Sequence, residues 1–210
     1  MTIMRVSDDR YSRDRERLDL ALRLIRHEAR TFTIRQWTEL SDDRIRKLYR
    51  SYVLHDGARG VLRHRGKSPR QAAFFFRNPE VTFHASQLAS LFLIYGLVGA
   101  GGGGLESRYR VGSLESGMLL CQAYEAYLEL HSPVSISFEH AWFLLLALAR
   151  RDEVGIGRCE ACGGVRLRDL LAKRRYACAN CDAAGVLGLG AQMSEHRPDH
   201  VKIEAVPDFR

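Results

Sequence analysis

The chain has 210 residues, 46% of them apolar, enough for one large or two small domains with a sizeable core. Its formal net charge of +7 and isoelectric point near 9.4 favour an anionic partner, nucleic acid above all. The longest apolar run, Ala141 to Ala149, is far short of the roughly 20 residues a bilayer requires, so no membrane association through a spanning helix is expected.

The charge is unevenly spread. Residues 10–70 carry 17 Lys/Arg against 8 Asp/Glu, residues 71–150 carry 4 against 6, and residues 151–210 carry 10 against 9. A basic head, a weakly acidic apolar middle and a cysteine-bearing end suggest separate tasks. The opening "MTIMRVSDDRYSRDRER" is charged, with no apolar stretch after it, so no signal peptide is expected. A cytoplasmic location and reduced thiols follow from that reading.

Leu18, Ala21, Leu22, Ile25 and Ala29 recur at helical spacing and predict a first amphipathic helix over about 12–30. "TFTIRQWTEL" predicts a short second helix around Ile34, Trp37 and Leu40. A third begins after Ser41 or Asp42, which can cap it, and buries Ile45, Leu48, Tyr49 and Tyr52. Arg44, Arg46, Lys47 and Arg50 are left on its outer side. Two short helices around a turn, the second with basic residues outward, have the layout of a helix-turn-helix. Ile34, Thr38, Leu40, Ile45 and Leu48 occupy its internal positions. Glu39 stands in the turn where glycine is usual.

"HDGARGVLRHRGKSPRQ" reads as a loop, and "FHASQLASLFLIYGLV" as a strongly apolar helix. "GAGGGG" after it reads as a flexible break; without a Lys-Ser/Thr or a preceding strand it is no phosphate-cradling loop. Ser113 begins a helix to about Leu130, and Ser137 another to about Arg150. Cys121 falls on an apolar helix face and reads as an inert core thiol.

The remaining cysteines are spaced Cys159-x2-Cys162-x15-Cys178-x2-Cys181. Two residues between thiolates let both reach one ion, and the linker is long enough for a hairpin that brings the pairs together. This is a recognised zinc spacing, and four thiolates close a tetrahedral shell, which makes one structural Zn2+ per chain the expectation. An iron–sulfur cluster also takes four cysteines and stays open, as does a redox dithiol. Arg166, Arg168, Lys173, Arg174 and Arg175 surround the cluster. They read as a DNA-contacting surface or as an ordinary solvated face. No catalytic constellation stands out among the histidines, serines and acids, so the chain is not expected to be an enzyme.

The expected fold class is mainly α: a multi-helix body, a helix-turn-helix-like N-terminal segment and a small four-cysteine zinc ribbon. Four regions are expected: a basic head, 1–70; an apolar helical core and partner-binding region, 71–152; a zinc-binding region, 153–182; and a poorly ordered tail, 183–210. An RNA-binding or ribosome-associated zinc ribbon is the competing functional reading.

Taken together, "LALRLIRHEAR", "ELSDDRIRKLYRSY", "KSPR" before an aromatic segment, "HASQLASLFLIY", "YEAYLEL", "HAWFLLLAL" and "CEACGG…YACANC" resemble the FlhC family of bacterial flagellar transcriptional regulators, over roughly residues 15–182. The segment "QAAFFFRNPEVTF" departs from the family pattern, which has Leu-Pro-Phe and tryptophans there. The resemblance implies a helical, zinc-binding subunit that acts with an FlhD-like protein, binds double-stranded promoter DNA upstream of flagellar operons and recruits RNA polymerase. It carries the family's zinc ligands onto Cys159, Cys162, Cys178 and Cys181.

Overall fold

The structure, a computed structural model, describes residues 6–55, 61–64, 66–101, 104–107, 113–172, 178 and 181. It is mainly α, with six helices and two small hairpins among the described residues. The head holds α1 (Val6–Arg26), α2 (Thr31–Thr38) and α3 (Asp42–His55). A single 3-10 turn, Ala72–Phe76, leads to α4 (Pro79–Ile94) and an antiparallel hairpin of β1 (Val98–Gly101) and β2 (Gly104–Ser107). Then come α5 (Leu114–Leu130), α6 (Phe138–Arg150) and a second antiparallel hairpin of β3 (Val154–Arg158) and β4 (Val165–Asp169). No helix among the described residues is long and apolar enough to cross a membrane.

Local chemistry sets the helix starts. Asn78 Oδ1 accepts from Val81 N–H at 2.8 Å, with Pro79 in the first turn of α4. Ser113 and Ser137 cap α5 and α6 in the same way, where the sequence places those starts. The first helix ends earlier than its periodicity predicts, at Arg26 rather than near residue 30. Glu28 turns left-handed at φ 59°, Glu28 N–H donates to Ile25 O, and Ala29 N–H reaches back to Leu24 O. That is a Schellman stop, and Ala29 continues the apolar spacing because it is buried in the common core beyond the helix end.

The described part of the glycine run forms strand rather than the break its composition suggests, and Gly102 and Gly103 lie outside the described residues. Val98 to Gly101 pair with Ser107 to Gly104, and Ala100 lies opposite Leu105. A ladder is made by backbone groups, so glycine-rich letters can hide one.

One apolar cluster runs through the body. Leu20, Leu24 and Ile25 of α1 meet Ile34 and Trp37 of α2, Leu88 and Phe92 of α4, Leu120 and Tyr127 of α5, and Leu144 and Leu145 of α6. Trp37 and Trp142 touch with ring centroids 4.6 Å apart, which seats the head on α6. Arg23 makes a two-pronged contact to Glu125, with Nε to Oε1 at 2.7 Å, and so joins α1 to α5. Cys121 is fully buried, and burial pushes its thiol up to about 12, so it remains an unreactive thiol.

Candidate metal centre and basic surfaces

β3 delivers Cys159 to the tip of its hairpin. There the chain folds tightly back, with Gly163 N–H donating to Cys159 O at 2.9 Å and Cys159 N–H to Gly164 O at 2.8 Å. Gly163 adopts φ 69°, a left-handed turn that glycine makes without strain. The tip thus holds Cys159 and Cys162 together, and the Cys178 and Cys181 sulfurs meet them. The first pair lies within the hairpin turn, so β3 precedes it and β4 follows, a tighter design than a hairpin built in the fifteen-residue linker.

All four Sγ atoms lie within 4.8 Å of one another, and Cys162 Sγ is 3.6 Å from Cys178 Sγ. A tetrahedral shell with bonds of about 2.3 Å has sulfur–sulfur edges of about 3.8 Å, so the spacing suits a single ion. Cys178 N–H also points at Cys159 Sγ, at 3.5 Å. The backbone N–H groups of Cys178, Cys162 and Ala161 draw the Cys159 thiol down to about 6. Cys181 is pushed up to about 12, chiefly by its hydrogen bonds with the Cys178 and Cys162 sulfurs. Four crowded sulfurs cannot all ionise without a counter-charge, and a cation at their centre supplies it. Cys159, Cys162, Cys178 and Cys181 can therefore hold one metal ion. Cys159 and Cys181 are buried, whereas Cys162 is exposed.

In the head, α2 and α3 meet at Glu39, which sits left-handed at φ 56° directly after the last residue of α2. Its N–H donates to Arg35 O, and its carboxylate pairs with Arg17 of α1. Ile34, Thr38, Leu40 and Ile45 are buried, and Leu48 packs against the cluster. Ser41 Oγ faces Arg44 N–H at 3.4 Å, at the start of α3. These contacts close the inner face of the α2–α3 pair.

The basic residues singled out in the sequence fall in different settings. Arg44, Arg46, Lys47 and Arg50 are all exposed on α3. Arg44 pairs with Asp14 of α1 at 3.0 Å, and Arg46 with its helix neighbour Asp43 at 2.8 Å. Asp42 is held by Arg35. On the second hairpin, Arg168 is exposed, while Arg166 is only 9% exposed, with its Nε toward Arg158 O at 3.4 Å. Lys173, Arg174 and Arg175, and the tail 183–210, lie outside the described residues.

Sequence reading missed two groups. His27 lies against Glu125 Oε1 at 2.9 Å and stacks on Phe138, in a half-buried Arg23–Glu125–His27 cluster. Arg30, Arg63 and Lys67 gather beside the start of α2, although two of them come from a stretch read only as loop. Their basic composition was the available signal. No family model matches the chain, and no curated protein matches it.

Proposed function

We propose that this chain is the DNA-binding subunit of a hetero-oligomeric transcriptional activator, as the FlhC resemblance implies, working with an FlhD-like partner and RNA polymerase at promoter DNA. The observation that carries the reading is the α2–Glu39–α3 unit, whose inner face is apolar and closed and whose outer face is basic. In this reading α3 enters the major groove, with Lys47 and Arg50 reaching bases or phosphates. The acids Asp42 and Asp43 are neutralised by Arg35 and Arg46, which lowers their cost near phosphate. The four cysteines hold zinc. With every coordination position taken by protein, the ion acts as a structural tie rather than a Lewis acid.

The test is binding of the full-length chain, with its co-expressed partner, to a labelled promoter duplex and to a scrambled one. Lys47→Ala with Arg50→Ala should weaken promoter binding by about tenfold or more, at about 1–3 kcal/mol per base contact. Thermal stability should be unchanged, because both side chains are exposed. Equal affinity for the scrambled duplex would defeat the reading, and tighter binding of structured RNA in competition would transfer this face to the RNA-binding alternative.

A further inference from the structure

A cleft of about 420 Å³ opens beside α2, lined by Arg30, Thr31, Phe32, Arg46, Arg63 and His64. An adjoining hollow of about 510 Å³ shares Arg30 and His64 and adds Arg26 and Lys67. What distinguishes these cations is how they are held. Arg30 Nη1 donates to the backbone carbonyl of Lys67, and Arg63 Nη2 to the Thr31 hydroxyl at 3.3 Å. The Arg63 guanidinium also lies over the Tyr49 ring, 5.6 Å from its centroid. All three anchors are neutral, so the two guanidinium groups are oriented without being neutralised. Arg30 Nε is buried and has no acceptor among the described residues.

Two carboxylates lie nearby, and neither pairs with the Arg30 or Arg63 side chain among the described residues. Glu28 takes His64 at 2.9 Å and Leu62 N–H at 3.1 Å. Glu139 is 5% exposed; its Oε1 accepts Arg30 N–H at 2.8 Å, and its Oε2 is buried with no hydrogen-bond partner among the described residues. Lys67 is exposed and makes no ion pair among the described residues. Two aimed guanidinium groups with a lysine alongside match the oxygens of a phosphate ester, which accepts several charge-assisted hydrogen bonds at once.

We propose that this cleft is a phosphate-ester site in which Arg30 and Arg63 grip the phosphate and Lys67 adds charge from the adjoining hollow. Arg46 lines the cleft and also stands on the exposed face of α3. A sugar–phosphate backbone running along α3 therefore reaches the cleft, and that source rests on the DNA-binding reading. The site itself does not.

The experiment titrates inorganic pyrophosphate into the metal-loaded, full-length chain and follows backbone amide shifts. Saturable shifts at Thr31, Phe32 and His64 are expected, with affinity reduced about tenfold in Arg63→Ala, the weight of one charge-assisted bond. Lys67→Gln, at an exposed position, serves as the second variant should Arg63→Ala disturb packing on Tyr49. In a parallel arm, the salt dependence of duplex binding should become shallower by about one unit of log–log slope per phosphate contact removed, with the preference for promoter over scrambled DNA retained. Pyrophosphate binding with an unchanged duplex slope keeps the site and assigns it to a free phosphate ester. Pyrophosphate binding by a chain that ignores duplex DNA keeps the site and removes the DNA reading. Folded protein whose amides do not respond to pyrophosphate overturns the site, whatever the duplex does.

Discussion

Single residues decide where this chain turns, and the deciding ones were hard to read. Glu28, Glu39 and Arg151 adopt positive φ at helix ends, a conformation that glycine or asparagine usually marks. Backbone capping hydrogen bonds hold them there in place of a glycine, so no glycine signalled the stops. The four cysteines were legible because metal coordination demands fixed residue types at fixed spacing. His27 was not, because its role comes from Glu125, far away in sequence. Burial lowers the His27 imidazole below its ordinary 6.5, with Glu125 pulling the other way. The Arg23 hydrogen bond holds the Glu125 carboxyl below its ordinary 4.5, against the opposing effect of burial. As pH falls below about 6.5, the unfolded chain takes up the His27 proton before the folded chain does, so stability is lost. Below about 4.5 the same happens at Glu125, and the two losses add in sign. The thermal midpoint should therefore fall between pH 7 and pH 5, and fall less in His27→Gln. Burial also lowers His131 and His140, so the loss should shrink rather than vanish. An identical pH dependence in wild type and His27→Gln, measured by calorimetry, would remove His27 from this account.

At the scale of elements, the helices were legible wherever a capping residue met a periodic apolar face. Ser113 and Ser137 gave the starts of α5 and α6 for that reason. The β1–β2 hairpin was not legible, because its short strands flank and share a glycine run that carries no side-chain pattern. How the elements cross was hidden too. Gly117 of α5 lies where a Cβ would stand 2.7 Å from Leu20 Cδ2 and 3.1 Å from Trp37 Cε3. Leu20 and Trp37 are 0% and 1% exposed, so neither side chain has room to move aside. Gly117 thus lets α5 approach α1 and α2 closely enough to seat the head on the body. Its lack of a Cβ costs α5 about 1 kcal/mol in helix propensity relative to alanine. Close packing recovers that, and a larger residue would lose it. Gly117→Val should destabilise the protein by about 1–3 kcal/mol through overpacking. Denaturant titration checks this, and a variant as stable as wild type would mean that the crossing is looser than described.

For the whole molecule, the question is whether the metal holds the fold or only its end. A structural zinc contributes on the order of 10–16 kcal/mol to small zinc peptides, as much as the entire stability of a typical domain. Such a figure applies where nothing else orders the ligands. Here the second hairpin is also fastened to the body: Val154 and Leu167 are buried in the common core, and Leu167 N–H donates to Ser86 Oγ of α4 at 3.0 Å. Leu170 N–H closes the open end of the hairpin onto Glu153 O at 2.9 Å. The described residues of the tip take no part in that core. From Cys159 to Gly164 the tip's order depends on a tight backbone turn and on the ion that the sulfurs can share. The helical core, from Leu20 to Leu148, closes without any of these residues. Stability should therefore be graded along the hairpin, high at its base and metal-dependent at its tip. A strong chelator should release one metal ion per chain and leave most of the helical circular dichroism. Hydrogen-exchange protection should vanish at Cys159 and Gly163 while Leu167 keeps part of its own. Cys178→Ser should reproduce that pattern without chelator. A single cooperative loss of helices and hairpin on chelation would instead make the ion a condition of the whole fold, and would mean that the Ser86–Leu167 contact carries little of the hairpin's stability.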